Sequence, residues 1–252
     1  NFVILLSSLL AVSSGEFIVK EKNDNKVIID LSMGELSIEN RDNYHELISV
    51  DTKGKTQRIG EPTLPTYSFN YAIDRDKNYD VQLELNDDYT LYENINLLPS
   101  QPLYKVDQEK VFIKRDDIYN NNNSNYPISK ISSKRMSFRG YELISIEVSP
   151  FEYNPTTQVL KVYNNPEIII NEAGIRSTEN QAPRSRIFEE MYKNSVINSD
   201  DYQDSRNFQK PSVLYICGGS LSTSPYLEEL TEWRHKQGYV VNAVSTSETG
   251  TS

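Results

Sequence analysis

From Glu16 to about Ala173 apolar and polar residues alternate with a period of two. Lys26-Val27-Ile28-Ile29-Asp30-Leu31 and Tyr79-Asp80-Val81-Gln82-Leu83-Glu84-Leu85 read as strands, the second strictly alternating. Tyr141 to Val148 alternates through Ile144, Ile146 and Val148, and Val159 to Tyr163 and Glu167 to Ile170 come next, parted by Asn164-Asn165-Pro166. Asn154-Pro155-Thr156-Thr157 has the composition of a turn. Short strands with no strong helical stretch predict an antiparallel β-sandwich over residues 16–175.

Two stretches break the pattern. Between Asp116 and Arg139 the alternation fails: Asn120 to Asn123 is polar, and Lys130, Lys134, Arg135 and Arg139 crowd the far end of the stretch. This predicts an exposed, poorly ordered loop. Residues 176–210 form a second break, with Pro183 and one short helical pattern at Ile187, Phe188 and Met191. Arg184, Arg186, Arg206 and Lys210 make this linker a candidate for a processing protease, the alternative being an ordinary interdomain connection.

The chain then changes character. Lys210 to Gly219, with its hydrophobic run Val213-Leu214-Tyr215-Ile216-Cys217, reads as a strand, Ser224-Pro225 as a helix start, and Tyr239 to Val244 as a second strand. Ser224 is placed to cap, Leu227, Leu230 and Trp233 fall on one helical face, and Gly238 supplies the stop. Strand, helix, strand predicts a right-handed parallel crossover over residues 211–252, the truncated start of an α/β domain.

Charge narrows the function classes. Thirty-six acidic against 26 basic residues give −10, which argues against nucleic-acid binding and against a basic membrane-surface patch. The single cysteine, Cys217, rules out an intrachain disulfide framework within these residues. Phe2 to Val12 is an apolar and serine run of signal-peptide length, succeeded by small residues and too short to span a bilayer. Residues 1–14 therefore read as the remnant of an export signal, with a buried N-terminal strand as the alternative.

Candidate chemistry is sparse. Gly218-Gly219 between strand and helix matches neither the dinucleotide fingerprint nor the P-loop, and reads as a tight turn. Cys217 closes a hydrophobic strand with no base beside it, so a buried core thiol is the better reading than a nucleophile. His45 and His235 lie far apart, and no metal-ligand spacing occurs. No catalytic, cofactor-binding or metal residue is assigned in these 252 positions.

Several motifs taken in order resemble the gingipain-type cysteine peptidase precursors (family C25, clan CD). They are Gly60-Glu61-Pro62-Thr63-Leu64-Pro65, Arg139-Gly140-Tyr141, the run Val148 to Pro155 with its Pro-x-x-Tyr-Asn-Pro turn, Phe188 to Asn198, and Leu214 to Tyr239 with Trp233 and Lys236-Gln237-Gly238-Tyr239. The resemblance implies a secreted or cell-surface zymogen: a β-sandwich propeptide and then the opening of a caspase-like α/β catalytic domain. Its His–Cys dyad would lie beyond Ser252. It implies a propeptide that inhibits and chaperones its own catalytic domain, a processing protease, protein substrates cut at basic residues, and calcium in the catalytic domain rather than here. No membrane span and no nucleic-acid partner are expected. On this reading Lys130, Lys134 or Arg135 is a pseudo-substrate plug, the alternative being a solvated loop with lysines for solubility. Two rival readings remain: a C25-like sortase of type IX secretion, and a surface binding protein with an inactive C25-like domain.

Overall fold

The structure, a computed structural model, describes residues 16–52, 54–120, 125–177, 184–199 and 208–250. The export-signal run and Arg206 lie outside the described residues. The chain divides into two compact units. The first draws its described residues from Asn1–Phe138, Glu142–Glu179 and Lys193–Tyr202, the second from Arg139–Tyr141, Asn180–Tyr192 and Gln203–Ser252.

The first unit begins with β1 (Glu16–Lys22), β2 (Lys26–Ser32), β3 (Leu36–Arg41), β4 (Tyr44–Ser49) and β5 (Gly54–Lys55). It continues through β6 (Pro65–Ala72), β7 (Lys77–Glu84), β8 (Tyr89–Tyr92) and a one-turn helix α1 (Asp116–Tyr119). Then come β9 (Ile131–Phe138), β10 (Tyr141–Val148), β11 (Phe151–Asn154), β12 (Val159–Tyr163) and β13 (Glu167–Ile175). One sheet has the order β1-β2-β13-β7, a second β5-β6-β10-β9, and a third β11-β12-β8. The paired strands of all three for which a register is defined run antiparallel.

Alternation in the sequence becomes alternation of burial. Val27, Ile29 and Leu31 of β2 point into the core, and Ile29 sits opposite Ile168 of β13. Tyr67, Phe69, Ile146 and Val148 come from the second sheet, and Phe151, Tyr153 and Leu160 from the third; all belong to one cluster. This is the antiparallel sandwich that the period-two pattern predicts. Each such side chain contributes about 1.5–3 kcal/mol of burial free energy, so a charge at Ile29 would break the core. The turn at Asn154 forms as its composition suggests, with Oδ1 accepting from the backbone of Thr156 and Thr157, both at 3.0 Å.

The region read as a loop between Asp116 and Arg139 is different. Its described residues hold α1, a bridge from Tyr126 to Tyr153, and the eight-residue edge strand β9. Lys134 and Arg135 are therefore on a strand, and Lys130 immediately precedes it. The hydrogen-bonding edge of β10 supplies the pairing that Ser132-Ser133-Lys134-Arg135 does not advertise by alternation.

A short helix α2 (Glu189–Ser195) lies inside the stretch read as a linker, and residues 195–198 at and after its end complete the edge of β6. Strand β5 pairs only with Pro65 and Thr66, leaving the far end of β6 open. There Ile197 N donates to Asn70 O at 3.0 Å, and Asn70 Nδ2 donates to Ser195 O at 3.1 Å. The Asn198 amide, itself buried, accepts from Ala72 N at 2.7 Å and donates to Ala72 O at 3.1 Å. A side chain here does the work of a strand's backbone.

In the second unit β14 (Ser212–Cys217) and β15 (Val240–Ser245) pair in parallel, Ser212 opposite Val240, across the helix α3 (Pro225–Lys236). Pro225 begins the helix, and its last turn carries Arg234, His235 and Lys236, cations at the negative end of the dipole. Gly238, at φ +89°, ends it: Gly238 N reaches His235 O and Tyr239 N reaches Arg234 O, a Schellman stop. Ser224 occupies the capping position, but its hydroxyl makes no capping hydrogen bond; its carbonyl accepts from Leu227 and Glu228 instead. Cys217 is buried at the end of β14. Leu214 and Ile216 of β14 and Leu230 and Trp233 of α3 are exposed.

Candidate functional site: a clamped projecting loop

Between β8 and α1 the chain runs out into a loop, residues 101–113, whose tip is apolar and basic. Leu103 and Val106 are fully exposed, Val111 and Phe112 more than half so. Lys105 and Lys110 are exposed and make no ion pair with any described residue. Isolated exposed leucines are ordinary, but four large apolar side chains on one projection are a contact surface in waiting.

The loop is held from within. Gln101 Nε2 donates to Ile113 O at 2.7 Å, while Gln101 Oε1 accepts from Ile113 N at 2.8 Å. The Tyr104 hydroxyl donates to Val111 O, and Gln108 N donates to Lys105 O at 3.1 Å across the tip. These bonds join its two arms without a regular ladder.

The base is gripped by the Gly60-Glu61-Pro62-Thr63-Leu64-Pro65 motif. Gly60 N donates to Ser100 O at 2.8 Å on one arm, and Arg115 N donates to Gly60 O at 3.0 Å on the other. Ser100 N donates to Glu61 O at 2.8 Å, and Thr63 N to Leu98 O at 2.9 Å. Gly60 sits at φ +81°, and a Cβ there would lie 2.9 Å from Arg115 Cγ, so no other residue fits without displacement. The buried Glu61 carboxylate accepts from Arg115 Nη1 at 3.0 Å, and Asp117 takes the other side of the same guanidinium at 2.6 Å. That hydrogen bond holds the Asp117 carboxyl below its ordinary range and raises Arg115.

Beneath the base lie two buried tyrosines. Tyr153 Oη donates to Ile95 O at 2.8 Å and accepts from Leu97 N at 3.2 Å; Tyr119 Oη donates to Leu97 O at 2.8 Å. Burial pushes the Tyr153 hydroxyl up to about 12 and raises Tyr119 as well. The folded state thus holds these protons beyond the pH, about 10, at which an unfolded tyrosine releases them. The Tyr153 contribution is whole below about pH 10 and is lost as pH rises through about 12, with Tyr119 raised in the same direction. Thermal melts should fall steeply over that alkaline window, and Tyr153→Phe should flatten the fall; an unchanged slope in the variant would show that Tyr153 is not its source.

The three residues read as a plug are distributed differently. Arg135 Nε donates to Glu142 Oε2 at 2.8 Å, and its Nη atoms donate to the carbonyls of Lys77, Asp74 and Arg75 at 2.8 to 3.0 Å. Lys130 pairs with Glu152 at 3.1 Å. Lys134 alone of the three is exposed and has no ion-pair partner among the described residues. Arg135→Ala should therefore cost about 2–4 kcal/mol of stability, because it removes the ion pair to Glu142 and the donors to three backbone carbonyls at once, whereas Lys134→Ala should leave stability within about 0.5 kcal/mol. Chemical denaturation of both variants checks this; equal midpoints would contradict it.

The candidate processing residues also differ in access. Arg184 O accepts from Gln209 N at 2.6 Å, and the Arg184 guanidinium lies 5.4 Å from the centre of the Tyr141 ring. Tyr141 is in turn stacked on the buried Tyr192 at 4.5 Å. Arg186, in a single 3-10 turn, and Lys210, just before β14, are exposed. Among the described residues no three His, Cys, Asp or Glu side chains gather in a way that could hold a metal ion, and no helix is long and apolar enough to cross a membrane.

The family model Propeptide_C25 matches residues 21–207, and the chain belongs to that family, the propeptides of gingipain-type C25 cysteine peptidases. It is similar to Lys-gingipain of Porphyromonas gingivalis, at 25% identity over 236 aligned residues and 82% of this chain. The chain spans 13% of the length of that curated relative. Among solved structures it resembles a chain of the complex of Porphyromonas gingivalis RgpB pro- and mature domains, with TM-score 0.62 and 16% identity over 73% of this chain and 97% of that one. It also resembles a chain from a study of zymogenic latency of gingipain K from Porphyromonas gingivalis, with TM-score 0.53 and 16% identity over 64% and 94% of the two chains. At such identity these two likenesses establish the fold alone.

Proposed function

We propose that this chain is the N-terminal part of a secreted, gingipain-like cysteine endopeptidase zymogen, and that its sandwich keeps the catalytic domain latent and assists its folding. The carrying observation is the clamped loop 101–113, rigid at the base and apolar and basic at the tip. Leu103 and Val106 would seat on the walls of a substrate cleft, and Lys105 between them would occupy the pocket for a basic side chain. Presenting a substrate-like segment on a fixed base binds tightly because little conformational freedom is lost on docking. The role read for Lys130, Lys134 and Arg135 thus passes to Lys105, with Lys134 the one residue of that set still free to take part.

The parallel unit from Ser212 fits the opening of the catalytic domain. Its exposed Leu214, Ile216, Leu230 and Trp233 are what a parallel sheet presents before further layers cover it. The catalytic His and Cys, and calcium if the enzyme uses it, would belong to sequence beyond these residues. Maturation would cut at Lys210, Arg206 or Arg186; Arg184, tied by backbone to Gln209, is the poorest substrate of the four.

The test is to add the 252-residue chain to a mature gingipain-type catalytic domain and to sequence the N-terminus of the self-processed precursor. Slow-release inhibition and a new terminus within 185–211 are expected. No inhibition would dismiss the latency role, and a terminus elsewhere would dismiss the processing assignment.

A further inference from the structure

In the second unit a concavity of about 760 Å³ is walled by Phe188, Phe208 and Tyr239 and edged by Arg139, Arg186 and Lys210. Its size falls in the range of ligand sites. Among the described residues no aspartate or glutamate lines it, although acidic residues outnumber basic ones by 36 to 26 in the chain. None of the three cations is ion-paired to a described residue. The two guanidinium groups lie instead over aromatic rings, Arg139 at 5.1 Å from the Phe188 centroid and Arg186 at 5.9 Å from that of Phe208. Such seating fixes each cation while leaving its hydrogen-bond donors unspent.

Arg139 also occupies an unfavourable backbone position. It is the first of two residues joining β9 to β10, at φ +49°, with Gly140 next at φ +86°. Two-residue hairpin turns with positive φ at both positions prefer Asn-Gly, because in the left-handed region a Cβ crowds the following carbonyl oxygen and asparagine offsets this by local hydrogen bonding. Arginine therefore stands where asparagine would be more stable, at the edge of a cavity whose charged lining, among the described residues, is wholly cationic. A strained residue at such a place points to a use for its side chain.

We infer that this cavity binds a short acidic peptide segment, with an apolar or aromatic side chain between the rings and flanking carboxylates on Arg139, Arg186 and Lys210. The aromatic walls favour a peptide over a small inorganic anion, which would leave them wet. The net charge of −10 disfavours a long polyanion, whereas a short segment responds to the local cations within a Debye length. The site shares no residue with the latency loop, and its test reads binding, not inhibition.

The test titrates acetyl-Glu-Phe-Glu-amide into the 252-residue chain, monitored by calorimetry and by amide shifts of Phe188 and Phe208. Saturable binding that weakens with salt is expected. Arg139→Asn should reduce affinity about tenfold, the effect of losing one charge-assisted hydrogen bond, while its melting temperature holds or rises. Lys210→Gln, at an exposed position, should weaken binding in the same direction. Failure to saturate, equal binding of acetyl-Gln-Phe-Gln-amide, equally strong competition by inorganic phosphate, or full affinity in Arg139→Asn would each overturn the inference.

Discussion

Replacing Leu103, Lys105 and Val106 together with alanine will raise the inhibition constant of the propeptide against a gingipain-type catalytic domain at least about 100-fold. That is about 3 kcal/mol, the loss of one or two interface hot spots. The same variant will melt within about 1 °C of the parent, because Leu103 and Val106 are fully exposed, Lys105 is exposed, and none supports the core. Gln101→Ala, which opens the loop without touching its tip, will fall between the two, since a loosened loop must be ordered again on docking. Lys134→Ala will leave inhibition near the parent value. Steady-state inhibition measured alongside thermal melts separates these cases, and an unchanged constant for the triple variant would remove the loop from the mechanism.

Asn198→Ala will destabilise the first unit by about 2–4 kcal/mol, because it leaves the N–H and C=O of Ala72 without partners at a buried edge. At about 2–4 °C per kcal/mol for a chain of this size, its transition will drop by about 4–16 °C. Hydrogen exchange at the Ala72 amide reports the same event locally, and protection should fall to that of an open strand end. If the Ala72 amide stayed protected, another partner would have to be holding that edge of β6. The consequence for processing is direct: a segment pinned at 195–198 keeps the chain up to that point with the sandwich after any cut further along.

Much of the sandwich was legible because its strands bury one face. Alternation in β7, β10 and β12 carries straight into their burial, and Pro225 and Gly238 mark the ends of α3 by backbone chemistry alone. Strand β9 was not legible: Ser132, Ser133 and Lys134 are all exposed, so no buried face imposes a period. Its pairing comes from β10 and from Arg135, a tertiary contact that no local pattern encodes. The loop at 101–113 was missed for the opposite reason. Leu103-Tyr104-Lys105-Val106 and Lys110-Val111-Phe112 look like two arms of a hairpin, yet Leu103 and Val106 stay fully exposed and only the Phe112 ring, against Tyr44, finds a partner face. The signal that could have found it is the positive-φ Gly60 in a Pro-rich motif, whose backbone serves both ends of a segment forty residues later.

The most direct test of the central claim places a photo-crosslinking side chain at position 106 and irradiates the complex with the catalytic domain. The account predicts an adduct that vanishes when a covalent lysine-mimicking inhibitor already fills the active site. An adduct that persists in the blocked enzyme, or one that forms from position 134 and not from 106, would contradict it.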